Sequence, residues 1–557
     1  MDRRVLWAIA LMMVIAIAPS FLLKPPKVAQ RRSGKADSAT LATPPSQAAP
    51  TPLAGIGPEA RAAERSSRLP PETITVSSPL YRYGISTRGG ALVEATLERY
   101  KALDPQEKGQ PVQLIPAGSA INRLAFTVGK DTLSLADWDF IPSTRRLDVS
   151  AGQGLTLTAS RGEVSVELAY NFRPGDYQID IRGRVRGLGP VGGHLLISMG
   201  DGLRQTESDS AANYYTYGVV TKTDQSKSTP FSKLKVGEPP TTLEGPFEWA
   251  AVKSKYFVAA ILAGDSGAVQ LSGVTAEALA GTSRVTHARV TAGMPVPAAG
   301  EFSYRVYVGP MEYPRLHAIG HDFYDINPYG WPGFRTMIRP IAVGARWLLV
   351  WMHERFSLAY GAVLILFGIL IRLILWPLNQ KGMRASIRMQ AIQPEMQRLQ
   401  ERYKEDPQRL QQEMMGLYKR EGVNPFSGCW PMLLPWPVLL ALFFVLSNTI
   451  ELRGQSFLWL PDLSLKDPVY IIPVLMGASM FAVNKVGMLG VPPNPQSKMM
   501  LYFLPVMMTV LFLNFASGLN LYYFVQNVVS VPQQWYLAKE RMKARAALPP
   551  PVVGKKK

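Results

Sequence analysis

The chain has 557 residues and a formal net charge of +19; it is 47% hydrophobic and 18% charged. One cysteine excludes a disulfide framework and a thiolate metal cluster, and five histidines leave little for a histidine-rich metal site. A basic chain invites comparison with nucleic-acid binders, so the position of the charge matters more than its total. Four segments together carry +15 of it: 1–23, 24–71, 378–425 and 538–557. The long segment between 72 and 356 is therefore close to neutral.

An apolar run, Val5–Leu23, follows Arg3 and Arg4. About 19 apolar residues can cross a bilayer core of roughly 30 Å as a helix. A cleaved signal peptide has a similar pattern, but Pro19 falls just after the candidate cleavage site and disfavours cutting there. We therefore expect residues 1–23 to form a first transmembrane helix that remains as an uncleaved anchor.

Two segments of different character follow the anchor. Residues 24–71 contain nine Pro, ten Ala and five Ser but no aromatic residue, which predicts a disordered Pro/Ala-rich linker. Residues 72–330 contain many short alternating runs separated by turns such as Asn171–Asp176. Short strands with Gly and Pro punctuation predict an antiparallel β-sandwich of about 250 residues.

The segment 331–356 has two distinct helical faces. Arg335, Arg339 and Arg346 fall on one face, and Trp347 and Trp351 lie on another. This pattern predicts an amphipathic helix on the outer membrane surface. The alternative is a simple N-terminal extension of the next membrane span.

Five further apolar runs predict a polytopic membrane protein with six spans in all. Residues 357–377 form the second span, and residues 426–537 hold spans three to six. Lysine and arginine concentrate in the loop 378–425 and in the tail 538–557, which places both in the cytoplasm and the neutral segment on the opposite, periplasm-like side. The runs are Leu358–Pro377, Pro431–Asn448, Val469–Val483, Met499–Phe515 and Leu519–Leu537.

The loop 378–425 is predicted to form a cytoplasmic helical hairpin. Met396, Leu399 and Tyr403 have helical spacing, and Asp406-Pro407 is a helix-start signal that opens a second amphipathic helix. The apolar faces of the two helices can pack on each other, dock a partner, or do both. The tail 538–557 carries a net +6, which suits ribosomal RNA or anionic lipid.

The usual patterns of catalytic residues are missing from the sequence. It contains neither a P-loop nor an H-E-x-x-H motif, and no histidine follows His353. Three histidines in residues 72–320 are few for a sugar-processing enzyme: His194, His287 and His317. We therefore expect no enzymatic activity, no metal, no cofactor and no small-molecule substrate.

Arg372 is the most informative single residue. It lies within the apolar run Leu364–Pro377, where an arginine costs about 2.5–3.5 kcal/mol on insertion scales. It could be functional, or it could extend towards the headgroups, since Pro377 is only about 7.5 Å further along a helix. Gly368, one turn earlier, leaves room beside it. Asn520 and Gln526 could line a wet cavity near this charge or join helices by hydrogen bonds.

Several motifs resemble those of the YidC family of membrane protein insertases. The longest is Leu410–Met432, which reads LQQEMMGLYKREGVNPFSGCWPM. The others occur in the family's order and extend the resemblance over most of residues 72–540: Trp249–Phe257, Leu463–Pro468 and Ser517–Tyr523. The layout is similar to that of Gram-negative members, which have an additional first span and a large periplasmic domain.

The resemblance implies a periplasmic β-supersandwich over residues 72–330 and a five-helix insertase core. Its positively charged groove, open to the cytoplasm and the lipid, holds the family's arginine at Arg372, with Gly368, Asn520 and Gln526 as further groove residues. Substrates are expected to slide along the third and fifth spans. The residues expected at this slide are Trp436, Pro437, Tyr502 and Pro505, with Tyr522 and Tyr523 nearby.

The expected partners also follow from the resemblance. They are nascent membrane proteins with acidic translocated segments, the Sec translocon, ribosomes, signal-recognition targeting factors and the lipid bilayer. Ribosomes or targeting factors would dock on Lys404, Asp406, Arg409, Lys539, Arg541, Lys543, Lys555, Lys556 and Lys557. A secondary transporter or channel is the alternative, but it predicts inverted repeats that the five core spans do not show. A merely anchored periplasmic module would leave the five later spans unexplained.

Overall fold

The computed structural model describes residues 70–149, 154–189, 193–264, 270–279, 285–330, 333–422, 436–490 and 495–546. The predicted anchor 1–23 and almost all of the predicted linker 24–71 lie outside these residues. So do Lys555, Lys556 and Lys557 in the tail.

Residues 73–310 form the β-rich part, here called the β domain. Its strands are β1 Thr73–Ser77, β2 Tyr81–Ser86, β3 Leu92–Lys101, β4 Pro111–Gln113, β5 Arg123–Val128, β6 Asp131–Ser134, β7 Ile141–Pro142, β8 Arg146–Asp148, β9 Leu155–Arg161, β10 Val164–Phe172, β11 Gln178–Arg186, β12 Gly193–Ser198, β13 Gly218–Lys222, β14 Ser226–Pro230, β15 Thr241–Phe247, β16 Trp249–Lys253, β17 Phe257–Ala263, β18 Leu271–Ala278, β19 Ala288–Val296 and β20 Glu301–Pro310. A short helix, α1 (Ser210–Tyr214), and a 3-10 turn, Phe231–Lys233, lie between them.

The described strands assemble into three sheets. The largest has the order β14-β13-β16-β17-β20-β11-β10-β9-β7, and the others have the orders β15-β18-β19-β12-β5-β6 and β4-β3-β2-β1-β8. Pairing is antiparallel except between β1 and β8. The turn around Asn171–Asp176 separates β10 from β11, which pair from Ser165 with Arg186 to Phe172 with Ile179. Strands dominate this part of the chain, as the short alternating runs predict.

The apolar core of the β domain takes residues from all three sheets. In β17 every residue from Phe257 to Leu262 is buried, so both faces of this strand are covered. Strands nearer the edge, such as β10, instead alternate buried and exposed residues. Trp249, at the start of β16, donates its indole N–H to the carbonyl of His321 at 3.0 Å.

Helices dominate the chain after residue 312. They are α2 Tyr313–Ile319, α3 Arg335–Phe356, α4 Tyr360–Ala391, α5 Gln393–Arg402, α6 Pro407–Arg420, α7 Trp436–Asn448, α8 Ile471–Gly487, α9 Pro495–Phe512 and α10 Ser517–Ala546. Helix α10 packs against α4, α8 and α7, whereas α9 packs on α8 and α3 packs on α7. Buried apolar residues of α3, α4 and α7 to α10 form a second core. Those of α2 belong instead to the core of the β domain.

Among the described residues, one helical segment is long and apolar enough to cross a membrane, Tyr360–Pro377 of α4. Three shorter apolar segments accompany it: Trp436–Asn448, Ile471–Gly487 and Leu501–Phe512. Since the first apolar run falls outside the described residues, the count of six spans stays a prediction.

Helix α3 presents its tryptophans outward and its arginines inward. Trp347 and Trp351 are 62% and 42% exposed, and their rings stack 6.2 Å apart. Arg335 donates to Ser226 at 3.2 Å, and Arg339 lies over the ring of Tyr324, so this face meets the β domain and the turn that follows it. Arg335 and Arg339 of the amphipathic pattern therefore make contacts within the protein, while the tryptophan face is exposed.

Candidate functional site

Arg372 projects from the middle of α4 towards α10 and is partly buried. Its Nη2 donates a 2.7 Å hydrogen bond to Oε1 of Gln533, a residue of α10 that is only 1% exposed. Its Nε is buried and has no hydrogen-bond partner among the described residues. Within that part of the chain, no carboxylate lies within ion-pairing distance of the guanidinium. Among the described residues, the side-chain partner of Arg372 is therefore a neutral amide that does not compensate its charge.

Gly368 lies one turn before Arg372 and permits α10 to approach α4 closely. A Cβ on Gly368 would lie 3.1 Å from a methyl group of Val525, so the space beside it is filled by α10. The carbonyl of Gly368 accepts a 2.8 Å hydrogen bond from Nε2 of Gln526, which also contacts the hydroxyl of Tyr522 at 3.1 Å. Arg372, Gly368, Gln526 and Tyr522 therefore lie along one seam between two helices.

Asn520 and Tyr523 lie in the first two turns of α10. Asn520 is fully buried and donates to the carbonyl of Phe512 at 3.0 Å. Tyr523 packs its ring against Phe512, with centroids 5.2 Å apart. Asn520 precedes Gln533 by 13 residues, or about 20 Å along a helix. These two residues join α10 to the end of α9 and do not touch Arg372.

Exposed apolar side chains form a continuous stripe on α9. Tyr502 is 60% exposed, and Val506 and Val510 follow at one-turn spacing with 65% and 61% exposure. Pro505 is buried, and its carbonyl accepts from the hydroxyl of Thr509.

Trp436, the first described residue of α7, is 46% exposed, and Pro437 follows it. Helix α4 contributes exposed Leu373 and Ile374 beside Arg372. Such surface is suited to lipid or to an apolar substrate helix.

The hairpin residues expected to dock partners are exposed. Asp406 caps α6 by accepting from the backbone N–H of Arg409, and Lys404 stands beside it in the loop. Tyr418 of α6 reaches Met396 of α5, so part of the two apolar faces is used between the helices. The remaining apolar face of α6 lines a shallow groove of about 340 Å³ that includes Leu410, Met414 and Met415.

The tail residues differ among themselves. Lys543 is exposed, and Lys539 is also exposed, with its ammonium 3.5 Å from the ring centre of Trp535. Arg541 instead donates to the carbonyls of Gly487 at 2.7 Å and Leu489 at 3.1 Å. These carbonyls belong to the end of α8, so Arg541 caps that helix.

Sequence reasoning missed Gln533 and the exposed apolar residues Val506, Val510 and Leu373. Gln533 is one of several amides in an apolar stretch, and nothing in its local pattern marks it as the partner of Arg372. The stripe was findable, because Tyr502, Val506 and Val510 recur at helical spacing.

Comparison with known families and proteins identifies the chain. The family model of the 60Kd inner membrane protein matches residues 351–545, and that of the YidC periplasmic domain matches residues 73–343. The membrane protein insertase YidC of Syntrophus aciditrophicus is 31% identical, over 97% of this chain and 100% of its own length. That of Oleidesulfovibrio alaskensis is 32% identical, over 90% of this chain and 92% of its own length. A crystal structure of an active YidC insertase is 17% identical, with a TM-score of 0.34 over 84% of this chain and 93% of that one.

A helical membrane core joined to a large β-rich domain, matched by both family models, defines an inner-membrane insertase rather than a member of a known enzyme class. The chain belongs to the YidC family of membrane protein insertases.

Proposed function

We propose that this protein inserts nascent proteins into the inner membrane by lowering the cost of moving acidic segments through the bilayer. The observation that supports this proposal is the environment of Arg372. Among the described residues, its guanidinium donates to a neutral amide and pairs with no carboxylate. An uncompensated positive charge in a membrane helix attracts an acidic substrate segment. The segment is held transiently, and the apolar remainder of the substrate then moves into lipid along the exposed stripe of α9.

A short helix supports the same mechanism. Helix α8 has 17 residues, below the ~20 that span a typical bilayer. A helical core shorter than the hydrocarbon thickness thins the bilayer around it, which lowers the barrier for polar segments. Hydrophobicity of the substrate and the membrane potential supply the driving force.

The topology belongs to the same proposal. Six spans place the N- and C-termini in the cytoplasm and the β domain in the periplasm. The hairpin α5–α6, with Lys404 and Arg409 exposed, and the tail, with Lys539 and Lys543 exposed, would receive ribosomes or targeting factors. The protein would work alone or with the Sec translocon.

Reconstitution tests the proposal. Purified protein in liposomes receives a single-span substrate with an acidic translocated tail, and protease protection reports insertion. We expect Arg372→Lys to retain insertion and Arg372→Ala to reduce it about tenfold, the effect of losing one charge-assisted interaction. Arg541→Ala is the matched control, since it removes an arginine that caps α8 away from this seam. Equal insertion by all variants would assign Arg372 to the headgroup region, and no insertion above empty liposomes would overturn autonomous insertion.

A further inference from the structure

Gln533 connects α10 to α4 through both ends of its side-chain amide. Oε1 accepts from Arg372 at 2.7 Å, and Nε2 lies 3.4 Å from the carbonyl oxygen of Trp376, one turn further along α4. The side chain is 1% exposed, so its position is set by these two contacts and by the surrounding packing. Its oxygen faces the guanidinium because its nitrogen faces a carbonyl, which can only accept.

Gln526 provides an internal comparison. It lies seven residues earlier on the same face of α10 and donates to the carbonyl of Gly368. Both glutamines therefore hold the same two helices together, but only Gln533 touches the charged side chain. Joining the helices does not by itself require an acceptor at the guanidinium, so Gln533 has a role that Gln526 lacks.

The neutrality of the acceptor matters for a site that attracts acidic segments. A carboxylate at position 533 would accept from the same Nη2 but would also pair with the charge and neutralise it. An apolar residue would leave the guanidinium without its described side-chain partner. An amide fixes the guanidinium by a charge-assisted hydrogen bond and leaves its positive charge in place for a substrate.

We infer that Gln533 is a positioning residue that holds the Arg372 guanidinium in place and keeps its charge available to acidic substrate segments. This inference rests on the proposed function of Arg372. It assigns to position 533 the selectivity of the groove for acidic over neutral translocated segments.

The experiment uses the full chain in liposomes and two single-span substrates. One carries aspartates in its translocated tail, and the other carries asparagines at the same positions. Gln533→Glu is expected to lower insertion of the acidic substrate about tenfold, because the substrate loses a hydrogen bond to the charged Arg372. Insertion of the neutral substrate is expected to stay within about twofold of wild type. Gln533→Leu is expected to act in the same direction with a smaller effect, since the charge remains but is no longer fixed.

Asn527→Leu is the matched control for the loss of an amide. Asn527 also lies on α10, but it donates to the carbonyl of Met476 and the hydroxyl of Ser479 on α8. If Asn527→Leu perturbs α10, it should lower insertion of both substrates equally. The same equal loss for the Gln533 variants would show that Gln533 is purely structural and would overturn the inference.

An Arg372→Ala background completes the test. Gln533→Leu should then have no further effect on the acidic substrate, because the guanidinium that Gln533 positions is gone. A persisting effect would overturn the inference while leaving the insertase function intact. If wild type inserts neither substrate, the proposed function itself fails. If wild type inserts both substrates and Arg372→Ala is equally active, the role proposed for the Arg372 charge fails together with this inference, and the insertase function stands.

Discussion

Two arginines of this chain, Arg453 and Arg372, are removed from water in opposite ways. Arg453 lies in the loop between α7 and α8, and its Nε meets both carboxylate oxygens of Glu207 at 2.9 and 3.0 Å. Its Nη1 and Nη2 donate to the carbonyls of Lys101 and Thr206. Arg372 has one described side-chain partner, a neutral amide. A structural arginine is neutralised and saturated with acceptors, whereas the candidate functional one keeps its charge.

The Arg453 pair joins the two parts of the molecule. Glu207 belongs to the β domain, and the loop that carries Arg453 also places Ile450 in the apolar core of that domain. The guanidinium lies over the ring of Phe257, 5.2 Å from its centre. The β domain is therefore fastened to the helical core at a buried ion pair.

The largest expected effect follows from breaking this pair. Arg453→Leu leaves Glu207 buried with an uncompensated charge, which costs about 3–5 kcal/mol. Denaturant unfolding of the full chain in detergent, followed through the β domain, would measure the loss. Arg184→Leu is the control, because Arg184 and its partner Glu301 are 48% and 60% exposed and their pair contributes at most about 1 kcal/mol. A loss below 1 kcal/mol for Arg453→Leu would contradict the structural role assigned to the pair.

Lys253 is a third cation, partly buried, and the dependence of stability on pH tests the cost of its burial. Burial lowers the pKa of Lys253 from 10.5 to about 8, and its Nζ donates to Oδ1 of Asn327 at 3.3 Å. Below pH 8 both folded and unfolded states are protonated, so the burial penalty is fully present. Between about pH 8 and 10.5 the folded state loses its proton first, so the free energy of unfolding rises with pH.

Replacing this lysine should therefore stabilise the protein at neutral pH. The pKa difference corresponds to about 3 kcal/mol at most. Loss of the hydrogen bond to Asn327 reduces the expected gain for Lys253→Met to about 2 kcal/mol at pH 7. The advantage over wild type should shrink as the pH rises from 8 to 10. Unfolding measured across this range checks the sign, and an advantage that is constant with pH would refute the burial argument.

Arg346 on α3 forms an ion pair that is less shielded from water than that of Arg453 and more shielded than that of Arg184. It is buried and paired with Glu451, and its guanidinium lies over the ring of Tyr313, but Glu451 is 23% exposed. Because water can reach the carboxylate left behind, Arg346→Leu should cost about 1–2 kcal/mol, less than Arg453→Leu. The same unfolding assay ranks the two variants, and the reverse order would show that partner burial does not decide the cost.

The roles of these arginines could be predicted from the sequence to different extents. Arg372 was identified because a charge within an apolar run is costly wherever the helix packs. Arg453 was not, since its partner Glu207 is 246 residues away and the pairing exists only after the two parts assemble. Arg541 is predicted as a docking cation because its run is basic, and its contact with the end of α8 is not visible in the sequence.

Local patterns predicted local structure well. Alternating runs predicted the strands of the β domain, and Asp406-Pro407 predicted the start of α6. The arginines of α3 show the limit of such patterns, because their helical spacing is visible in sequence while the surface that they contact is not. Gln533 shows the same limit within the site, since its importance comes from the residue opposite.

The smallest expected effect on stability is at Arg372 itself. Arg372→Leu removes one hydrogen bond to a neutral amide, but it also removes the cost of holding a charge away from water. Interhelical hydrogen bonds in membrane proteins average about 0.6 kcal/mol, so the free energy of unfolding should change by less than about 1 kcal/mol in either direction. Because Arg372→Leu also removes the positive charge, insertion of an acidic substrate should nevertheless fall. A stability loss near 3 kcal/mol, measured by denaturation in mixed micelles, would instead place Arg372 with Arg453 as a structural residue.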